Sequence, residues 1–144
     1  MIQRVQTLWL LIVVMLAALS FKFEFYVGTW INEGIQHQQI VLNGHNPSLM
    51  VFIATIVLII ISLMAIFLFK NRKRQLLIVI VDLILSIGLF ALYYMEIHRH
   101  FLPGSGTLAL TSVFVFLLPV FMILAIKGIS HDIRLLKRAD RLRG

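Results

Sequence analysis

Four long apolar runs limit what this chain can fold into more than any other feature of its sequence. A helix needs about 20 apolar residues to cross the roughly 30 Å hydrocarbon core of a bilayer. The runs that meet or approach this length are Val5–Phe21, Pro47–Phe69, Leu76–Met95 and Thr107–Ile126. The first run is the shortest, and we expect Arg4 and Lys22 to extend their side chains from its ends to the interface. The sequence therefore predicts an all-α membrane protein with four transmembrane helices in one domain.

The amino-acid composition supports the same class of protein. Of the 144 residues, 60% are apolar and 13% are charged, against about 45–50% and about 25% in soluble domains. A chain of this size cannot bury so many apolar side chains inside itself, so its outer surface must face lipid. The chain has no cysteine, which excludes disulfides, thiolate metal sites and cysteine nucleophiles.

The Lys and Arg residues predict how the chain is oriented in the membrane. With four spans, eleven of them share one side, and only Lys22 and Arg99 lie on the other. Cytoplasmic loops carry such an excess, so we expect both termini on the cytoplasmic side. The eleven residues are Arg4, Lys70, Arg72, Lys73, Arg74, Lys127, Arg134, Lys137, Arg138, Arg141 and Arg143.

The first run also allows an alternative topology. Arg4, the apolar stretch Leu8–Leu16 and the small residues that end at Ser20 are arranged as in a secretory signal peptide. Cleavage after Ser20 would leave three spans and an external N-terminus. Only one positive side chain precedes the apolar stretch, which favours the uncleaved, four-span topology.

The external loop 22–46 is the longest segment outside the runs. Phe21–Phe25 alternates apolar and polar residues at the period of a strand, and Gln39–Leu42 is a second short strand candidate. A β-hairpin is therefore possible in this loop. Asn46 and Pro47 have the residue types that start a helix, and they predict the beginning of the second span.

The cytoplasmic tail 127–144 is predicted to form a separate amphipathic helix. Gly128 stands where a C-cap would end the fourth span. Ser130 can cap a new helix, and Asp132 would then lie in its first turn. Basic side chains cover one side of this helix, so we expect it to lie on anionic lipid headgroups. Docking of a cytoplasmic partner on the helix is the alternative.

Asp82 lies within the third run and is the charged residue that most needs an explanation. An unpaired carboxylate in mid-membrane costs about 2.5–3.5 kcal/mol on insertion scales. Ser86 follows at i+4, so both side chains are expected on one helix face, towards the bundle interior. One hypothesis is proton or cation coupling at Asp82. The other is a structural pair, for which the candidate partners are Gln6, Thr7, Arg74 and Lys127.

Other motifs with recognisable chemistry are weak or missing. Glu96 and His100 share a helix face at the outer end of the third run and are weak candidates for a divalent metal site. The sequence contains no His-Glu-x-x-His, no Gly-rich phosphate loop and no Gly-x-Ser-x-Gly. We therefore expect no bound metal, no cofactor and no enzymatic activity.

Three short stretches share the predicted cytoplasmic face: Met1–Thr7, Lys70–Gln75 and Ala139–Arg143. In their order and spacing they resemble an uncharacterised family of small four-span bacterial inner-membrane proteins, a domain of unknown function. The resemblance implies a multi-pass protein of the bacterial inner (cytoplasmic) membrane, and it implies no activity.

The polar residues of this face are more specific than a topology signal requires. We interpret the face as a defined surface, used either for packing of the tail on the inner loop or for docking. The candidate residues are Gln3, Arg4, Arg72, Arg74, Gln75, Arg138, Asp140 and Arg141.

These patterns favour a non-enzymatic accessory or scaffold subunit of a larger membrane complex, or a homo-oligomer. The alternative is a small transporter or channel subunit that uses Asp82. The expected partners are anionic lipid at the inner face and a membrane protein or second copy of the chain. We expect no nucleic-acid partner, because topology already explains the positive charge of the inner face.

Overall fold

The computed structural model describes residues 3–32, 35–44 and 48–144, and these residues form four long helices and a small sheet. The helices are α1 (Gln3–Leu19), α2 (Leu49–Phe67), α3 (Arg72–His100) and α4 (Val113–Arg143). The strands are β1 (Tyr26–Asn32), β2 (Ile35–Leu42) and β3 (Thr107–Leu108). Short 3-10 turns at Leu68–Lys70 and Leu110–Ser112 lie before α3 and α4.

The four helices form a ring in which neighbours in sequence are neighbours in space. Helix α1 packs against α2 and α4, and α3 packs against the same two helices. A tight turn at Asn71 joins α2 to α3, and Gln6 near the start of α1 contacts Asp132 near the end of α4. Successive helices therefore run in opposite directions, as in an up-down-up-down four-helix bundle.

Each helix faces the bundle interior with a buried stripe whose residues are spaced alternately by three and four. This period of 3.5 residues is typical of helices that pack at small crossing angles in left-handed bundles. The stripes are Gln6, Leu10, Val13 and Ala17 in α1; Val51, Thr55, Leu58, Ser62 and Ala65 in α2; Gln75, Val79, Asp82, Ser86, Leu89 and Tyr93 in α3; and Val115, Leu118, Met122, Ala125, Ile129 and Asp132 in α4.

The outward faces of the helices are apolar. The segments Leu49–Lys70, Arg72–His100 and Leu110–Ala139 are long and apolar enough to cross a membrane, as the sequence predicted for the second, third and fourth runs. Helix α1 is apolar over Val5–Leu19 but shorter. Large apolar side chains such as Ile84 are more than half exposed on these faces, which is the surface expected of a protein whose solvent is lipid.

The sheet lies at the end of the bundle where α1 ends and α2 begins. Its strand order is β2-β1-β3, and both pairings are antiparallel. The predicted hairpin is present, with a second strand that contains the predicted Gln39–Leu42, but the prediction of a first strand at Phe21–Phe25 is wrong. The three phenylalanines of that segment instead contact rings of three different helices: Phe21 contacts Phe52 of α2 edge-on, Phe25 stacks on Tyr93 of α3, and Phe23 contacts Phe114 of α4 at a tilt.

Two predicted helix boundaries at the fourth span are also wrong. The fourth run does not begin as helix at Thr107, because Thr107 and Leu108 pair with Tyr26 and Val27 as strand β3. Gly128 does not end the helix, and α4 continues through the tail as one helix rather than as a span followed by a separate amphipathic helix. A Cβ at Gly128 would lie 3.0 Å from Gln6 Cγ, so the glycine allows α1 and α4 to approach closely.

The start of α2 differs less from the prediction. Asn46 and Pro47 lie outside the described residues. The helix begins at Leu49, and the Ser48 hydroxyl accepts a hydrogen bond from the Val51 amide at 3.5 Å. A serine N-cap satisfies one of the amide groups that a helix start leaves without an intrahelical partner.

Candidate functional site

Two groups of buried polar side chains lie inside the bundle, one near its middle and one at the end that carries most of the positive charge. We call the second end the basic end, and its exposed cations are Lys70, Lys73, Arg74, Lys127, Arg134, Lys137, Arg138 and Arg141, while Arg72 is half-buried. The opposite end, which carries the sheet, is the sheet end.

Asp82 and Ser62 form the group near the middle. Both side chains are fully buried, and the Ser62 hydroxyl donates a hydrogen bond to Asp82 Oδ2. Ser62 and Asp82 lie at similar distances along the chain from the turn at Asn71, so the antiparallel helices α2 and α3 place them side by side. Asp82 Oδ1 has no hydrogen-bond partner among the described residues. One carboxyl oxygen is thus used in helix pairing, and the other is available to a proton, a water or a cation.

This contact corrects the partners that the sequence suggested for Asp82. The candidates were residues of α1 and cations of the basic end, whereas the observed donor is a serine of α2. Gln6 is engaged elsewhere, with Asp132. Asp82 lies ten residues into α3, which begins at Arg72, and ten residues of helix span about 15 Å.

Ser86 lies on the same buried stripe as Asp82, one turn further along α3. Its hydroxyl donates to the Leu83 carbonyl of its own helix at 2.7 Å. Thr55 in α2 behaves in the same way and donates to the Val51 carbonyl at 2.8 Å. These two hydroxyls are therefore satisfied locally, and Ser62 is the hydroxyl that links two helices at the carboxyl group.

Asp132 is the centre of the second group, at the basic end. It is buried, its Oδ2 accepts a 2.6 Å hydrogen bond from the Gln6 side-chain amide, and the same oxygen lies 3.4 Å from an Arg72 guanidinium nitrogen. Asp132 belongs to α4, Gln6 to α1 and Arg72 to α3. A buried carboxylate that has both a hydrogen-bond donor and a cation beside it satisfies the condition for burying charge at low cost.

Gln75 connects the remaining helix to this end of the bundle. Its buried side-chain amide donates to the Ala65 carbonyl of α2 at 3.0 Å. All four helices are therefore joined by polar contacts at the basic end. In lipid, such interhelical hydrogen bonds and close packing replace the hydrophobic effect as the forces that hold helices together.

The predicted interaction residues of this face separate into two sets. Arg72 and Gln75 serve the internal network described above. Arg74, Arg138 and Arg141 are exposed and remain available to a ligand. These two sets hold the residues whose side chains the structure describes, which excludes Gln3, Arg4 and Asp140.

Asp132 is the functional candidate that the sequence prediction missed. Its assignment to the first turn of a separate tail helix removed it from the core. A signal was nevertheless present, because Asp132 continues the spacing of Met122, Ala125 and Ile129 and lies on the apolar side of the tail. A carboxylate at such a position must find partners inside the bundle.

At the sheet end, the weak metal candidates form a simple pair. His100 Nε2 lies 3.6 Å from Glu96 Oε2, and the His98 ring contacts the Tyr94 ring at a tilt. Among the described residues, no group of three or more His, Asp or Glu side chains is arranged to hold a metal ion. Tyr93 is a further buried polar residue at this end; its ring stacks on Phe25, and its hydroxyl has no partner among the described residues.

Comparison with curated proteins and with solved structures finds no match to this chain. A family model matches residues 2–142, which is nearly the whole sequence, and the description of that family is a domain of unknown function (DUF4293). The match confirms the membership of an uncharacterised family that the three stretches Met1–Thr7, Lys70–Gln75 and Ala139–Arg143 suggested, whereas the four spans and the bacterial inner membrane stay predictions. This chain therefore belongs to the DUF4293 family.

Proposed function

We propose that this protein is a non-enzymatic, four-span integral protein of the bacterial inner membrane that serves as an accessory or scaffold subunit of a larger membrane complex. Both termini and the basic end face the cytoplasm. The observation that carries the proposal is the arrangement of polar residues at the basic end. Buried polar side chains join the four helices there, while most of the surrounding cations stay exposed.

The position of α1 supports the fourth span. Helix α1 lies in the ring between α2 and α4, so it shares their depth if they cross the bilayer. Its contacts extend from Gln6 at the basic end to Ser20 at the sheet end, where the Gly44 amide donates to the Ser20 carbonyl at 2.8 Å. Ser20 is buried, which favours the uncleaved topology over removal of a signal peptide after this residue.

The length of α4 supports the cytoplasmic surface. Its 31 residues span about 46 Å at 1.5 Å per residue, which exceeds the roughly 30 Å hydrocarbon core. The excess is the segment with Arg134, Lys137, Arg138 and Arg141. This segment continues α4 as a basic helix that a cytoplasmic or membrane partner can bind.

Co-purification tests the proposal. The tagged protein is extracted from its native membrane in mild detergent, sized, and identified with its companions by mass spectrometry. We expect a companion of defined stoichiometry, or a homo-oligomer of defined size, that survives washing. A lone monomer under conditions that keep the bundle folded would contradict the scaffold function. A lipid-facing variant, Ile84→Ala, is the control for general effects of mutation on extraction.

A second candidate function is a small transporter or channel subunit that uses Asp82. One observation favours it, the buried Oδ1 atom that lacks a partner among the described residues. Asp82→Asn keeps the shape of the side chain and the acceptor for Ser62. A transporter would lose ion or proton flux in proteoliposomes through this change while its assembly stayed intact, whereas a scaffold would show no flux in either form.

A further inference from the structure

An open groove at the basic end combines cations with apolar walls. Its volume is about 580 Å³, and it lies between the α2–α3 turn and the last part of α4. Its cations are Lys70, Arg72, Lys73, Arg74 and Lys137, and its apolar walls are Ile133 and Leu136. Among the described side chains no carboxylate lines it, and the nearby Asp132 is buried against Gln6 and Arg72. The groove therefore attracts an anion.

A second, wholly apolar depression lies on the lipid-facing side of α2 and α3. Its volume is about 220 Å³, and it is lined by Ile61, Met64, Leu77, Ile78 and Val81. Residues 74, 77, 78 and 81 are spaced by i, i+3, i+4 and i+7, so Arg74 and the depression share one face of α3. The depression thus begins about one turn below the basic groove.

We propose that these two features form one binding site for an anionic phospholipid. The phosphodiester group lies among Lys70, Lys73 and Arg74, and one acyl chain lies along the depression between α2 and α3. The inference rests on the proposed orientation, in which the basic end meets the headgroup region of the inner leaflet. Basic pockets at the ends of membrane helices bind phosphate headgroups in this way.

The apolar depression decides between a phospholipid and a soluble phosphate. A free phosphate would use the cations alone, and Leu77 and Val81 would then face lipid like the other outward apolar side chains. A phospholipid uses both, because its acyl chain continues along the same helix face towards the middle of the bilayer. Covering the exposed Leu77 and Val81 side chains with a methylene chain is favourable through packing.

Native mass spectrometry of the detergent-solubilised protein tests the site. The probes are dioleoyl-phosphatidylglycerol, dioleoyl-phosphatidylcholine and soluble glycerol 1-phosphate. The headgroup variant is Lys70→Gln/Lys73→Gln/Arg74→Gln, and its control is Arg134→Gln/Arg138→Gln/Arg141→Gln, which removes the same charge from the end of α4. The acyl-chain variant is Leu77→Ala/Val81→Ala, and its control is Ile84→Ala/Ile87→Ala. Arg72 is kept in every variant because it contacts Asp132.

The wild type is expected to retain phosphatidylglycerol in preference to phosphatidylcholine. The headgroup variant should weaken this binding by about tenfold or more, since it removes three basic residues that attract the anionic headgroup. The acyl-chain variant should weaken binding of both lipids, and the two control variants should retain it. Should the headgroup variant fail to fold, the comparison of the acyl-chain variant with its own control still tests the lipid site.

Three results would overturn the proposal. Equal losses in the two charge variants would mean that binding is diffuse electrostatics. Displacement of the lipid by glycerol 1-phosphate would assign the groove to a soluble anion. Unchanged binding in the acyl-chain variant would remove the role of the depression. Each result is independent of co-purification, so failure of the lipid site and failure of the scaffold function can be told apart.

Discussion

The side-chain amide of Gln6 donates a 2.6 Å hydrogen bond to Asp132, and this contact joins two residues that are 126 positions apart. It closes the ring of helices by joining α1 to α4, and Arg72 extends it to α3. We therefore expect stability of the whole bundle, rather than of one helix, to depend on this carboxylate.

Replacing Asp132 by alanine should destabilise the protein by about 2–3 kcal/mol, because hydrogen bonds to buried charged groups have this value and the Gln6 amide is left unpaired. Unfolding in mixed detergent micelles measures the change. The double variant with Gln6→Ala should lose clearly less than the sum of the two single variants, because the residues contact each other. Additive losses would show that the pair does not couple α1 to α4. Leu136→Ala, an exposed position in the next turn, is the control.

The contact between Gln6 and Asp132 also shows what the sequence could and could not predict. Three membrane-length helices, the burial of Asp82 and Ser86 on one face, and a strand at Gln39–Leu42 follow from local periodicity. The partners of Asp82 and Asp132 do not, because a local pattern identifies the buried face of a helix and not the residue opposite it. The prediction of a strand at Phe21–Phe25 was wrong for a related reason. Phenylalanines at alternate positions also occur in a turn whose rings pack on three helices.

Two glycines within helices should respond in opposite ways to alanine. A Cβ at Gly88 would meet no atom within 4 Å, whereas a Cβ at Gly128 would lie 3.0 Å from Gln6 Cγ. Gly88→Ala should therefore stabilise the protein by up to about 1 kcal/mol through helix propensity. In Gly128→Ala, crowding of Gln6 should offset the gain in helix propensity and weaken the hydrogen bond between Gln6 and Asp132. Gly128→Leu should separate α1 from α4. The same unfolding assay measures all three, and equal stabilisation by the two alanines would contradict close packing at Gly128.

Two buried serines of neighbouring stripes should differ when each is replaced by alanine. Ser62→Ala removes the hydroxyl that donates to Asp82 Oδ2, whereas Ser86→Ala removes a bond to the carbonyl of its own helix. We expect Ser62→Ala to cost more by about 1–2 kcal/mol, because a buried carboxyl loses the donor that satisfies one of its oxygens. Thermal unfolding monitored by circular dichroism measures the difference. Identical unfolding of the two variants would mean that Ser62 does not support Asp82.

The proposed orientation predicts a labelling pattern. The chain has no cysteine, so single cysteines report their own position with a membrane-impermeant maleimide. Lys73→Cys and Arg141→Cys should react only after the inner membrane is opened, and Gly104→Cys should react in intact spheroplasts. Labelling of Arg141→Cys in intact spheroplasts would place the basic end outside and contradict the proposed topology.

The scaffold function is tested most directly by the amount of companion protein that co-purifies with three forms of the chain: the wild type, Asp82→Asn and Arg138→Gln/Arg141→Gln. Because Arg138 and Arg141 are exposed and Asp82 is fully buried, a scaffold should lose its companion in the double arginine variant and keep it in Asp82→Asn, with all three forms equally folded. Full retention of the companion by the arginine variant, together with loss of ion or proton flux in Asp82→Asn, would contradict the scaffold function and assign the protein to transport.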